Sequence, residues 1–135
     1  MGLMDKLKAT AKNADSKAGE IADKQKVQSK ISDEKRAIDK ALDSIGKAYY
    51  DAYKEGKDVT ADLDAICKEI DDRKAKITEY EEEIKAIEAK GKEEREQNRA
   101  DAEAAAAAKA EARAAAKAER EAEREAKMAE EKSEE

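Results

Sequence analysis

The chain has 135 residues, 47% of them charged, with a formal net charge of -6, four tyrosines, and no proline, histidine, tryptophan or phenylalanine. Without histidine, and with Cys67 as its single cysteine, it can form neither histidine-based metal and catalytic sites nor a multi-thiolate zinc site. Its abundant carboxylates and lysines are expected on solvated helix faces, so we expect no enzyme, metal or other cofactor. The interspersed acidic balance also argues against nucleic acid as a partner, and nothing in the pattern predicts a small-molecule substrate.

Residues 1–27 form the first segment, a weakly amphipathic helix in which leucine and alanine recur at spacings of three and four. Leu3, Met4, Leu7 and Ile21 are its large apolar side chains, and lysines outnumber acids there. Such a helix packs on a partner helix or lies on an anionic membrane surface, and the sequence leaves both open.

Residues 28–90 carry apolar residues repeated at sevens, which predicts an antiparallel coiled-coil hairpin with its turn near 54–58. Gly56 is suited to end the first helix and Asp58 or Thr60 to cap the second. We predict assembly through one seam, made of Ile31, Ile38, Leu42, Ile45, Tyr49, Leu63, Ile66, Ile70, Ile77, Tyr80, Ile84 and Ile87.

A turn centred on Gly56 also predicts the register of the two helices. It places Tyr49 level with Leu63 and Leu42 level with Ile70, and it sets Asp39 opposite Arg73, where an ion pair would help to fix the register. The same arithmetic sets Gly19 opposite Gly91, which would allow either close helix contact or a common hinge.

Residues 91–135 lose the seam and become rich in alanine, glutamate, lysine and arginine. A basic stripe at helical spacing runs through this tail: Lys109, Arg113, Lys117, Arg120, Arg124 and Lys127. The stripe belongs either to a solvated helix held by charge pairs or to a docking surface for an acidic partner, and the composition borders on disorder.

The segments IGKAYYDAYKEG and ICKEID, preceded by MGLMDKLKATAKNADSKAG, resemble an uncharacterised group of small bacterial coiled-coil proteins. That resemblance covers about residues 1–90 and implies a helical hairpin but no established activity. Members of that group often carry a C-terminal zinc ribbon after the hairpin. In this sequence no CxxC pair follows the hairpin, so the resemblance implies no zinc-dependent role. A looser, architectural likeness links it to helical-hairpin proteins of the phage-shock and ESCRT-III type.

The fold class predicted is therefore all-α: a long antiparallel hairpin whose second helix continues as a charged, alanine-rich helix. We expect a non-enzymatic scaffold that self-assembles into a homo-oligomer or filament in the cytoplasm. The alternatives are a peripheral membrane protein that uses the first segment and an adaptor whose tail binds a protein partner.

Overall fold

Two long helices make up nearly all of the computed structural model, which describes residues 2–134. Helix α1 runs over Leu3–Glu55 and helix α2 over Thr60–Glu134. They pack against each other and no strand occurs among the described residues, which confirms the prediction of an all-α helical hairpin. Met1 and Glu135, the outer ends of the first and last predicted segments, lie outside the described residues.

The turn between the helices contains the two signals that the sequence offered. Gly56 has a φ of 65°, and the N–H of Lys57 donates to the carbonyl of Ala52 at 2.9 Å. This is the helix end that glycine favours, because glycine reaches positive φ without a steric penalty. Asp58 then accepts bonds from the N–H of Thr60 at 2.9 Å and from its hydroxyl at 2.6 Å. It thereby satisfies one of the free donors at the start of α2.

The chain divides into two compact units. The turn unit is Lys17–Lys92, and the terminal unit is Met1–Ser16 together with Glu93–Glu135. The three segments expected from the sequence do not coincide with this division, because the turn unit takes in the last part of the first segment. Each unit contains a stretch of α1 and a stretch of α2.

In the turn unit, the residues that are buried or half-buried recur at steps of three and four along both helices. Because the two helices are antiparallel, residue numbers rise along α1 as they fall along α2. Val27 therefore lies level with Ile84, and Ala41 with Ile70. Ile38, Ala41 and Ile70 form the buried cluster, with Ile45, Ile66 and Ile77 packed against it. This spacing averages 3.5 residues per turn, as in coiled coils.

In the terminal unit, the partly buried residues follow a different spacing. On α1 they are Asp5, Ala9, Asn13 and Ser16, and on α2 they are Arg95, Asn98, Ala102 and Ala106. Steps of four, four and three repeat every eleven residues, or about 3.67 residues per turn. That value lies close to the natural period of an α-helix, slightly above it, whereas the period of the turn unit lies below it.

Candidate interaction surfaces

Most residues of the predicted assembly seam face the other helix of the same chain. Those that the structure leaves buried or half-buried are Ile31, Ile38, Ile45, Leu63, Ile66, Ile70, Ile77, Tyr80, Ile84 and Ile87. Lys30 adds a contact across the helices, since its ammonium lies 5.8 Å from the centre of the Tyr80 ring. Within the turn unit, these side chains therefore hold the hairpin itself together.

Leu42 and Tyr49 lie outside that interface, which corrects the predicted register by one residue. Leu42 is 52% exposed and Tyr49 is 61% exposed, whereas Ala41 is buried and Ala48 half-buried. Ala41 lies opposite Ile70, and Ala48 lies opposite Leu63. The predicted register places Leu42 and Tyr49 at these two positions. A small side chain opposite a large one fills the interface without forcing the helices apart.

The displaced side chains form an exposed apolar row, here named the turn strip: Leu42, Gly46, Tyr49 and Tyr53. These positions follow one another at steps of four, three and four, so they share one face of α1. Tyr53 is 75% exposed, and an added Cβ on Gly46 would meet nothing within 4 Å. Tyr50 points away from this row, and its ring lies 5.3 Å from the ammonium of Lys54.

Arg73 makes the principal ion pair between the helices in the turn unit, but its partner is not Asp39. Its Nη1 donates to Glu34 at 2.9 Å, and its Nε donates to Glu69 at 3.1 Å. The bonds to Glu34 and then Glu69 raise the pKa of the guanidinium above its already high value. Asp39 is exposed, while Glu34 sits in the interface with 13% of its side chain exposed. The prediction was wrong because an arginine side chain reaches more than one helical turn along its neighbour.

Gly91 is buried at the level of Glu20, rather than opposite Gly19 as predicted. Glu20 is 5% exposed and its carboxylate lies 2.7 Å from Lys17 Nζ, whereas Gly19 is exposed with open space around it. A residue without a side chain at position 91 leaves room for the glutamate at that level. A second cross-helix pair, between Lys24 and Glu88 at 3.0 Å, lies nearby in the same unit.

Polar contacts replace the apolar seam in the terminal unit. Asn98 Nδ2 donates to Asn13 Oδ1 at 3.4 Å, and Lys109 Nζ donates to Asp5 Oδ1 at 2.9 Å. The bond from Lys109 holds the pKa of Asp5 below its ordinary value. Asp5 also lies in the first turn of α1, where a negative charge is stabilised by the helix dipole.

The residues considered for membrane contact are all exposed. Leu3 is 74% exposed, Met4 67%, Leu7 56% and Ile21 45%. Lys6 and Lys8 stand beside them along α1 and are exposed as well. Within residues 2–134, no helix combines the length and the hydropathy needed to cross a bilayer.

The C-terminal tail is helical up to Glu134, and every residue from 107 to 134 is exposed. Of the predicted basic stripe, Lys109 binds Asp5, and Arg113 lines a groove with Leu3 and Met4 at the start of α1. Lys117, Arg120, Arg124 and Lys127 continue the stripe along the exposed helix. The tail thus continues helix α2, and the stripe lies along one face of that helix.

No metal centre is formed by the residues that the structure describes. Cys67 is free and exposed, and among the described residues no group of three or more acidic or cysteine side chains could hold a metal ion. Comparison with models of protein families, with curated proteins and with solved structures finds no match. The family resemblance described above therefore stays a prediction, and the exposed surfaces of the two units are what bears on function.

Proposed function

We propose that the chain is a non-enzymatic helical scaffold that self-associates, and that two copies pair through their turn strips. The observation that carries this proposal is the exposure of three large apolar side chains in one row: Leu42 at 52%, Tyr49 at 61% and Tyr53 at 75%. Single exposed apolar residues are common on soluble proteins, but a contiguous row is typical of an interface.

The spacing of the turn strip suits a second copy of the same strip. Steps of four, three and four read the same in both directions, so an antiparallel copy meets this row in register. Leu42 of each copy would then lie against Tyr53 of the other, and Tyr49 against Gly46. A symmetric pair of this kind requires a self-complementary patch, and the glycine offers the space that a tyrosine ring needs.

The small core of the hairpin supports the same proposal. The buried apolar residues are Val27, Ile38, Ala41 and Ile70, each between 3% and 8% exposed. Among the described residues, no side chain is less than 2% exposed. Helices of this composition gain most of their stability from packing rather than from propensity. Pairing of two hairpins adds apolar burial that a single hairpin lacks.

Sedimentation velocity over a wide concentration range tests the turn strip. The double variant Leu42→Ser/Tyr49→Ser should weaken self-association at least tenfold, because two large apolar contacts are lost, at about 1.4 kcal/mol per tenfold. Tyr50→Ser is the matched control, since it removes an exposed tyrosine that points away from the strip. Equal association constants for the double variant and the control would overturn the proposal, provided that circular dichroism shows unchanged helicity.

A second candidate function, contact with a membrane surface, is favoured by the exposed Leu3, Met4 and Leu7 beside Lys6 and Lys8. Apolar residues flanked by lysines are typical of helices that lie in the interface of an anionic bilayer. Flotation of the full chain with vesicles that contain phosphatidylserine tests it. Leu3→Ser/Leu7→Ser should reduce flotation while Leu42→Ser does not; flotation that both variants leave unchanged would remove this candidate.

A further inference from the structure

The basic face of the tail continues the face that pairs the helices of the terminal unit. Arg95, Asn98, Ala102 and Ala106 of α2 are partly buried at steps of three, four and four. The same steps, carried on along α2, reach Lys109, Arg113, Lys117, Arg120 and Arg124. The sequence therefore keeps one helix face in phase for about thirty residues while its chemistry changes from alanine and amide to cations.

Among the described residues, this face has no helix beside it beyond Arg113, which lines a groove with Leu3 and Met4 at the start of α1. Helix α1 begins at Leu3, and Asp5 already binds Lys109 at 2.9 Å. Residues 110–134 extend for about 37 Å at 1.5 Å per residue, and all of them are exposed. Within the described part of the chain, Arg113, Lys117 and Arg124 make no ion pair.

The turn unit presents an exposed face with the opposite charge and the same spacing. Along the outer side of α2 lie Asp71, Ala75, Glu79, Glu82 and Ala86, at steps of four, four, three and four, and all five are exposed. The two alanines leave space for a neighbouring helix to approach. Glu82 lies 3.2 Å from Lys85, a surface pair of a kind that contributes little and exchanges readily.

We propose that the basic face of the tail docks on this acidic face of a second copy. Set side by side, the two faces bring Lys117 and Arg120 opposite Glu79 and Glu82 whether the helices run parallel or antiparallel. The reason is that the central steps of both rows, four, three and four, read the same in both directions. Two clustered cations opposite two clustered anions form a network, which contributes more than isolated surface pairs.

The two docking faces are different surfaces of the chain, so the contact is head-to-tail. Contacts of that kind build open chains unless a rotation closes them into a ring. This inference rests on the proposed self-association but uses none of the residues of the turn strip. It names the acidic face of the same protein as the partner of the tail, and it predicts that growth falls as salt rises.

Charge exchange in the full-length chain tests the proposal. Sedimentation velocity of the wild type should show species that grow with concentration. Lys117→Glu/Arg120→Glu and, separately, Glu79→Lys/Glu82→Arg should each abolish that growth, because like charges then face each other. The chain that carries all four substitutions should grow again, since the exchanged charges are complementary. Lys40→Glu/Lys47→Glu, which makes the same change of net charge on exposed positions of α1, is the matched control.

The outcomes separate this inference from the turn strip. Leu42→Ser/Tyr49→Ser should halve the smallest species and still permit growth with concentration, so the two interfaces fail independently. Growth that persists in both charge-reversed chains, or that the fourfold exchange does not restore, would overturn the inference. A third outcome would also overturn it: the wild type floats with anionic vesicles, and Lys117→Glu/Arg120→Glu abolishes that flotation but leaves growth intact. The basic stripe would then bind a membrane instead of a second copy.

Discussion

The two units of this chain use the same secondary structure and differ in what they place between the helices. The turn unit fills its interface with isoleucine at steps of three and four, and it contains the buried cluster of Ile38, Ala41 and Ile70. The terminal unit sets Asp5, Ala9, Asn13 and Ser16 against a similarly polar stretch of α2. Spacing alone is enough to align two helices, but apolar side chains at that spacing decide how strongly they hold.

The largest effect should come from a charge placed in the turn unit. Ile70→Asp should destabilise the hairpin by about 3–5 kcal/mol, because it removes apolar contacts and buries an unpaired carboxylate. Thermal unfolding followed by circular dichroism measures it. Ala102→Asp, the matched change in the terminal unit, should cost less than about 1 kcal/mol. Equal losses for the two variants would contradict the contrast between the units.

The sequence predicted the turn unit well because isoleucine repeats are an unambiguous signal. The repeats predict the two helices of the hairpin, and Gly56 marks the turn. Of the two capping residues that the sequence offered, Asp58 and Thr60, the structure uses Asp58. It misplaced Leu42 and Tyr49 because positions 41 and 42 both lie three or four residues from Ile38 and Ile45. Preference for the larger side chain then selects Leu42, whereas the structure places alanine opposite the large residues of α2.

The terminal unit was harder to predict because its interface has no hydrophobic signal. Asp5, Asn13 and Asn98 are polar residues in a charged sequence, and the eleven-residue spacing becomes visible only when their burial is known. The same limit applies to Glu34, since a glutamate in the interface looks like a surface residue until Arg73 lies beside it. Isolated charges in the sequence do not show which partner they meet.

Replacing polar residues by apolar ones in the interface of the terminal unit should make that interface more stable, like the interface of the turn unit. Asn13→Leu/Asn98→Leu replaces a long hydrogen bond of 3.4 Å with apolar contact at two partly buried positions. We expect a gain of about 1–2 kcal/mol, seen as slower amide hydrogen exchange in residues 5–16 and 95–106. Gln97→Leu, at an exposed position, is the control and should leave exchange unchanged. Faster exchange in the double variant would show that the amide pair supplies more stability than leucine contacts can.

The ion pair between Arg73 and Glu34 should affect stability mainly when only one of the two residues is removed, because the other charge is then left unpaired in the interface. Arg73→Met leaves Glu34 in the interface without its cation, so the unfolding temperature should fall. Arg73→Met/Glu34→Met should recover most of that loss, because neither helix then buries an unpaired charge. Lys85→Met, which breaks the exposed pair with Glu82, should change the unfolding temperature least. If the double variant is no more stable than Arg73→Met, this explanation of the pair is wrong.

The smallest effects concern two carboxylates with lowered pKa values, one in each unit. Hydrogen bonds from Thr60 lower the pKa of Asp58, and the bond from Lys109 lowers that of Asp5. A carboxylate whose folded-state pKa lies below its unfolded value, near 3.9, stabilises the fold above that pH. The stabilisation is lost as the pH falls through the folded-state pKa. Both helix starts should therefore fray in acid, below about pH 4, when followed by the amide resonances of Thr60 and Leu7.

Salt should separate the two carboxylates. Asp5 depends on a charged partner, the exposed Lys109. At about 1 M salt the screening length falls to about 3 Å, so the pKa of Asp5 should rise toward the ordinary value. Asp58 depends on a neutral hydroxyl and a backbone N–H, so its pKa should change little. NMR titration of the side-chain carboxyls in low and high salt measures both, with Lys109→Met and Thr60→Val as the variants that remove each cause. If salt changes the pKa values of Asp5 and Asp58 equally, the charge of Lys109 does not lower the pKa of Asp5, and this explanation is wrong.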